Sequence, residues 1–489
     1  MSVTGSCQRW IVRALGTFVP AVLLLAILAP DLSARSVQNA ASDPRLQKAY
    51  RFQQDGWTYV HLEGSPSEIG FQHGFLLAPE IQDAFEALRL YDTHTTRRDW
   101  GFFRKAAREM LWPRIDVEYQ QELQGIVEGL KAGGGNLDLY DVVALNAFEE
   151  LPEYYVPWLN KREHAQNAPV LLPPGNCSAF IATGSLTRDG QIVIAHNNWT
   201  SYLAGSRWVV MFDIVPARGN RILMDGFPGV ITSDDDFGVN SAGIMIAETT
   251  ITQFEGWNPN GKPEFVRSRK ALQYANSIDD YVRIIKEGNN GGYANDWLIG
   301  DRKTGEIAYL ELGLKNTPLW RTKDGYFISS NFARDPKVLA EETTFDPNDK
   351  SSSPNARRVR WEELMRQSKG RIDVEMAEKF LGDHFDSYEK KEKADERSLC
   401  GHVEVSSQGA PQWNWGPYYP GGAVQGKATD SSLAGKMSLR ARAGHPCGED
   451  FIAKDFLDRH HEYDWEKPVL RDMKAGPWTT FTAGQTSAR

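Results

Sequence analysis

The sequence predicts an α+β fold with mostly antiparallel sheets. Three observations carry this. Between about residue 65 and residue 150, apolar side chains recur at near-helical spacing. From Cys177 onward the texture changes to short strand-like runs separated by Gly, Asn or Asp. Nowhere does a strand–helix alternation carry a glycine-rich phosphate loop, so a parallel doubly wound sheet is not expected.

The helices come first. Ser65-Pro66-Ser67-Glu68 has the form of a capping box with Pro at the first helical position, and Ile69, Leu77, Ile81, Phe85 and Leu88 follow it. A second helix should stop at Gly133-Gly134-Gly135. A third runs through Leu139, Val142, Val143, Leu145 and Phe148. Residues 161–176 carry Pro173-Pro174-Gly175 and read as an exposed loop. CSAFIATGSLT and QIVIAHNNW then form a β-hairpin around Arg188-Asp189-Gly190. Further strands are expected in RWVVMFDIV, NRILMDG, GIMIAETTI, WLIGD, EIAYLELG and GYFISSNF, with helical stretches at 264–287 and around 356–382.

The 489 residues are 41% hydrophobic and 24% charged, which is ordinary globular composition and ample for a large core. A net charge of -9, with no long Lys/Arg run, argues against a nucleic-acid partner. Arg9 and Arg13 precede an apolar run from Ala14 to Ala29, and Leu32-Ser33-Ala34 offers a small-residue cleavage site. Residues 1–34 therefore read as a secretory signal, with an uncleaved anchor as the rival. Export to a periplasm, to the exterior or to a lysosome-like lumen follows. After the signal, residues 35–176 form a helical part and residues 177–489 the main part of the fold.

Cys7 leaves with the signal, so Cys177, Cys400 and Cys447 remain, an odd number in an oxidising compartment. The simplest partition is a Cys400–Cys447 disulfide with Cys177 free. Cys177 is then either a buried inert thiol or a functional one. It begins a strand just after a loop where a backbone cut is tolerable. If the Asn176–Cys177 bond is broken, Cys177 gains an α-amine with a pKa of about 7.7–8.0, close to its own thiol. One residue then supplies both nucleophile and general base. Uncut, that nitrogen is an amide and the chain is a zymogen.

NCSAFIATGSLTRDGQIVIAHNNWTSY and GFPGVITSDDDFGVNSAGIMIAETTIT, together with YANDWLIGD, YFISSNF, SPNARRVRW and SLCGHVE, resemble the phospholipase B-like proteins. They also resemble the wider group of self-cleaving Cys hydrolases and acyltransferases that includes penicillin acyltransferases and bile-salt hydrolases. The resemblance implies a four-layer αββα N-terminal-nucleophile sandwich, made as one chain and cut into two that stay associated. By position, Cys177 matches the nucleophile and His196 the residue facing it. Trp199 matches a position where bile-salt hydrolases carry Asp. Thr250 and Asn331 match polar residues near the oxyanion site, and Arg357 a pocket arginine, with Arg358 the alternative register.

The implied activity is cleavage of a fatty-acyl ester or amide through a Cys177 thioester, with no cofactor and no metal. The partners are a small acyl substrate (a lipid or an N-acyl amine), a membrane-surface lipid, and the cleaved N-terminal chain. An amidase, peptidase or acyltransferase using the same residues is one alternative, and a non-catalytic binding protein on the same scaffold is another. Asp234-Asp235-Asp236 reads as a turn, because adjacent side chains of an extended run cannot all reach one ion. His384 and His402 lie near Cys400, yet no His/Cys spacing matches a zinc site. Asn176-Cys-Ser and Asn198-Trp-Thr are formal glycosylation sequons inside the expected site.

Overall fold

The computed structural model describes residues 43–164 and 177–486. The expected signal segment, Cys7 and Asn176 lie outside the described residues. No helix among the described residues is long and apolar enough to cross a membrane.

Ser65 closes the expected capping box, and the helix Pro66–Leu76 follows it. The chain re-enters helix at Ala78–Thr96. The helix Val117–Ala132 ends at Gly133, whose N–H donates to the Gly129 carbonyl at 2.8 Å. Helices Pro66–Leu76 and Val117–Ala132 pack with their backbones almost touching. A Cβ on Gly70 would come within 1.9 Å of the Glu122 carbonyl oxygen, and one on Gly129 within 2.0 Å of the Phe71 carbonyl oxygen. Gly74 and Gly125 are as tightly placed, so each helix offers two glycines one turn apart to the crossing.

The strands are β1 Tyr50–Gln54, β2 Trp57–Gly64, β3 Cys177–Thr183, β4 Val193–Ser201, β5 Val210–Pro216 and β6 Ile222–Gly226. They continue with β7 Gly238–Asn240, β8 Ile244–Thr250, β9 Asn295–Asp301, β10 Glu306–Leu312, β11 Leu319–Thr322 and β12 Gly325–Ser329. The short ribbon of β13 Phe385–Asp386 and β14 Lys391–Glu392 precedes β15 Gly421–Asp430, β16 Ser438–Ala443 and β17 Thr479–Thr482. One sheet has the order β1-β2-β5-β6-β7-β8-β9-β10-β11 and the other β12-β3-β4-β15-β16-β17. β2 and β5 pair in parallel, and the remaining ladders among the described strands are antiparallel. The mixed helix and sheet architecture with mostly antiparallel pairing is thus the expected class.

The region before Cys177 departs from the helical expectation, since it also holds β1 and β2. These strands run along the edge of the larger sheet and join it through β5. Trp57, Tyr59 and Val60 are β-forming residues, but the run is short and the helical pattern after Ser65 overshadows it.

The central strands of both large sheets are buried on both faces. In β8, Met245 and Ala247 share a core with Ala179 and Ile181 of β3, so the two sheets face each other. Ile244 and Ile246 turn the other way and pack with the helices of residues 66–156. In β3, Phe180 and Ala182 turn to the helices Ser353–Gln367 and Val374–Leu381 through Trp361, Leu364 and Phe380. The two-residue period of a strand divides its apolar side chains between two cores, which is why these strands read as near-continuous hydrophobic runs.

Candidate active site

Cys177 is the first residue of β3 and is buried to 1% exposure. β3 and β4 pair with Cys177 opposite Asn198 and Ala179 opposite His196. Alternation along both strands turns Cys177, His196 and Asn198 to one face, and Ser178 and Trp199 to the other. The hairpin thereby builds both sides of the site from one local element.

The Cys177 backbone N–H donates to Asn331 Oδ1 at 3.1 Å, and the thiol points at Glu248 Oε1 at 3.8 Å. The donor atoms of Cys177, His196 and Glu248 lie within 4.8 Å of one another. Among the described residues, neither ring nitrogen of His196 meets a hydrogen-bond partner, and the same holds for Thr250 Oγ1 and Asn198 Nδ2. Arg357, fully buried on the helix Ser353–Gln367, closes the outer side. Its guanidinium donates to Cys177 O at 2.6 Å, to Ser178 Oγ at 2.8 Å, to Asn331 Oδ1 at 2.8 Å and to Ser353 Oγ at 2.9 Å. It also lies 4.4 Å over the Trp199 ring. Trp199 is held in turn by its indole N–H, which donates to Leu399 O at 3.2 Å.

The register between the two arginines is therefore decided. Arg358 points outward and pairs with Glu362 at 2.9 Å. Asn331 is engaged differently from the expected oxyanion donor. Asn331 Nδ2 donates to Thr250 O at 2.9 Å, so in this uncut chain Asn331 holds the Cys177 nitrogen rather than offering a free oxyanion donor. Asn331 has φ 70°, a left-handed conformation that Asn tolerates better than most residues.

The sequence reading missed Glu248 and Lys427. Glu248 lies two residues before Thr250 in the same ETTI run and accepts from Tyr293 OH at 2.9 Å. Lys427 of β15 sits opposite His196 in the ladder and donates to Asp225 at 3.0 Å and to Asp235. Glu248 was legible as a neighbour of a chosen residue; Lys427 had no local signal. Asp234, Asp235 and Asp236 form a buried bend and diverge, Asp235 toward Lys427 and Asp236 toward Ser268 at 2.5 Å.

Burial pushes the Cys177 thiol far above its usual range, and the Glu248 carboxylate adds to this. Burial raises Glu248 itself, with Asp236 contributing. His196 is held neutral by burial and by Lys427. Burial brings Arg357 down to about 9. In the uncut state the thiol is therefore protonated and a poor nucleophile.

Cys400 and Cys447, expected as a disulfide, are both free thiols here. They do lie together, with His402 Nε2 at 3.6 Å from Cys400 Sγ and 3.5 Å from Cys447 Sγ. Asn198 of the second sequon is buried, which is no position for a glycan.

The family model for phospholipase B matches residues 92–309, which include Cys177, His196, Trp199, Glu248 and Thr250. Over that stretch the chain is similar to the phospholipase B-like proteins. It is 30% identical over 177 residues to phospholipase B-like protein F of Dictyostelium discoideum, covering 34% of this chain and 31% of that one. It is 25% identical over 269 residues to phospholipase B-like 1 of Bos taurus, covering 48% of each. An uncharacterised protein of Archaeoglobus fulgidus is 26% identical over 270 residues, covering 51% of this chain and 42% of that one. The chain thus spans less than half the length of these relatives.

Proposed function

We propose that this protein is an exported, self-processing N-terminal-nucleophile hydrolase that cleaves fatty-acyl ester or amide bonds through a thioester on Cys177. One observation carries the reading: Cys177 opens β3 with its own nitrogen held by Asn331 and its sulfur beside His196 and Glu248. A cut between Asn176 and Cys177 converts that held nitrogen into an α-amine. The amine takes the thiol proton, Sγ adds to the acyl carbonyl, and the proton passes to the departing alcohol or amine. Water then releases the acid from the thioester and regenerates the thiol. Thr250 Oγ1 and Asn198 Nδ2, buried without partners among the described residues, are the groups available to the developing oxyanion.

The sheets facing each other, each with helices behind it, support the αββα sandwich of that enzyme class. The proposed N-terminal chain, residues 35–176, would stay bound because β2 pairs along its length with β5. The phospholipase B-like names of the relatives support a lipid acyl group as substrate.

A second reading, amide cleavage of an N-acyl amine, is favoured by one feature. Asp92 and Glu149 are buried and Glu153 half-buried along a small cavity with Tyr91, Thr200 and Trp415, and Glu149 is pushed up to about 7 by burial. Burial holds these carboxyls toward the neutral form, which can donate hydrogen bonds to a polar amide group.

Intact mass and N-terminal sequencing of the wild type beside Cys177→Ala test the common core. Two wild-type fragments, one beginning Cys-Ser-Ala-Phe, and one uncut mutant chain are expected. A wild type that stays uncut under every folding condition removes the α-amine mechanism. Turnover of lysophospholipids against N-acyl amines then separates the two substrates.

A further inference from the structure

Away from Cys177, the loop that follows the helix Val374–Leu381 meets the loop that follows β16. We propose that His384, Cys400, His402 and Cys447 form a closed structural site for a thiophilic divalent cation, with zinc the best match to the donor set.

The donor atoms of these four residues all lie within 4.8 Å of one another. A tetrahedral zinc with bonds of about 2.3 Å to sulfur and about 2.0–2.1 Å to nitrogen has a sulfur–nitrogen edge of about 3.5 Å. The two edges at His402 Nε2 are 3.6 Å to Cys400 and 3.5 Å to Cys447. Two thiolates and two imidazoles select a borderline-soft metal over calcium or magnesium, which prefer oxygen donors. Four protein donors leave no open coordination position, as in structural rather than catalytic zinc sites.

The surroundings are built for such an ion. His402 Nδ1–H donates to Glu404 Oε1 at 3.0 Å, which turns the Nε2 lone pair toward the sulfurs. The other Glu404 oxygen accepts from Tyr202 OH. The Glu449 backbone N–H donates to Cys447 Sγ at 3.4 Å. Cys400 and His402 are buried, and His384 Nε2 is a buried atom with no hydrogen-bond partner among the described residues. A cleft lined by Gly382, His384, Pro446 and Cys447 gives a path from solvent. A Cys400–Cys447 disulfide would use both sulfurs and leave the ring nitrogens of His384 and His402 facing it unpaired, a costly arrangement for buried polar atoms.

The site would brace the wall of the candidate active site without touching it. Leu399, beside Cys400, accepts hydrogen bonds from Trp199 Nε1 at 3.2 Å and Asn197 Nδ2 at 3.0 Å. Gly401 lies against Trp199 so closely that a Cβ there would come within 1.9 Å of the ring. Pinning residues 400–402 to Cys447 therefore holds Trp199, and Trp199 carries Arg357. The metal proposal stands independently of the reaction assigned to Cys177.

The full chain, purified without chelator, should carry one zinc per chain by elemental mass spectrometry. After reduction and metal removal, Co2+ titration should saturate at one equivalent with tetrahedral visible bands and thiolate charge transfer. Cys447→Ser and His402→Ala should abolish those bands, and Cys177→Ala should leave them intact. Should the ligand variants fail to fold, Glu404→Gln keeps all four donors and should bind Co2+ about 10–100-fold more weakly. A Cys400–Cys447 disulfide in freshly purified protein, with no Co2+ bands after reduction, would overturn the proposal. Bands that survive Cys447→Ser, or an unchanged affinity in Glu404→Gln, would overturn it equally.

Discussion

Cys177 and Asn331 are joined by a hydrogen bond from backbone N–H to side-chain Oδ1 at 3.1 Å, and Arg357 donates to the same oxygen at 2.8 Å. Asn331 thus couples the nitrogen of the proposed nucleophile to a buried cation. After chain cleavage that cation would favour the neutral amine, the form able to accept a proton.

Asn331→Gly separates the side chain from the backbone it occupies. Glycine accepts φ 70° without strain, so the fold should persist while the acceptor for the Cys177 nitrogen is lost. The expected result is a kcat lower by about 10²-fold, the low end of the range for losing one preorganised polar partner. Circular dichroism and single-turnover kinetics check it. A fully active, fully folded Asn331→Gly protein would remove Asn331 from the mechanism.

Arg357 and Arg358 should respond very differently to lysine. An ammonium cannot reproduce four donations to Cys177 O, Ser178 Oγ, Asn331 Oδ1 and Ser353 Oγ. Arg357→Lys should cost about 2–4 kcal/mol and slow self-processing. Arg358→Lys keeps an exposed pair with Glu362 and should stay within about 0.5 kcal/mol of wild type. Denaturant titration of both variants reads the difference, and similar losses at the two positions would contradict the assigned register.

Glu466 should make stability depend on pH. Burial pushes its carboxyl up to about 8, and neither oxygen has a hydrogen-bond partner among the described residues. An unfolded Glu titrates near about 4.3, so between these values the folded state binds the extra proton. Its contribution is fully present below about pH 4 and is lost as pH rises toward about 8. Glu466→Gln removes the proton requirement. Its Tm should match wild type at acid pH and exceed it by several degrees near pH 8. A pH-independent Tm difference between the two proteins would refute this.

Gly129 tests the helix crossing. An Ala Cβ would come within 2.0 Å of the Phe71 carbonyl oxygen, which is backbone and cannot swing aside. Gly129→Ala improves helix propensity by about 1 kcal/mol, yet the forced separation of the helices should dominate, for a net loss of about 1–3 kcal/mol. Thermal unfolding is the readout. A stabilised variant would mean that the two helices can move apart freely.

Much of this molecule is local in origin. The capping box at Ser65, the stop at Gly133, the β3–β4 hairpin and the alternation that puts Cys177 and His196 on one face all follow from residues near one another in the chain. Such features are set by backbone conformation, capping and side-chain period, which a sequence displays directly. Arg357 was legible as a candidate, but whether it or Arg358 faced inward depended on the rotation of its helix against β3.

The remaining features depend on contacts that span the chain. Lys427 reaches the site because β15 pairs with β4, and no residue near Lys427 signals that pairing. β1 and β2 were hidden in a segment dominated by helical periodicity, and the partner that makes them a sheet edge is β5. His384, Cys400 and His402 match no metal spacing because the fourth donor, Cys447, arrives from the loop after β16. The amino-acid sequence alone determined the fold class, the nucleophile candidate and the hairpin that presents it. Only the tertiary structure decided what surrounds that thiol and where the other two cysteines meet, because burial and long-range pairing are properties of the packed sheets and not of any short stretch of chain.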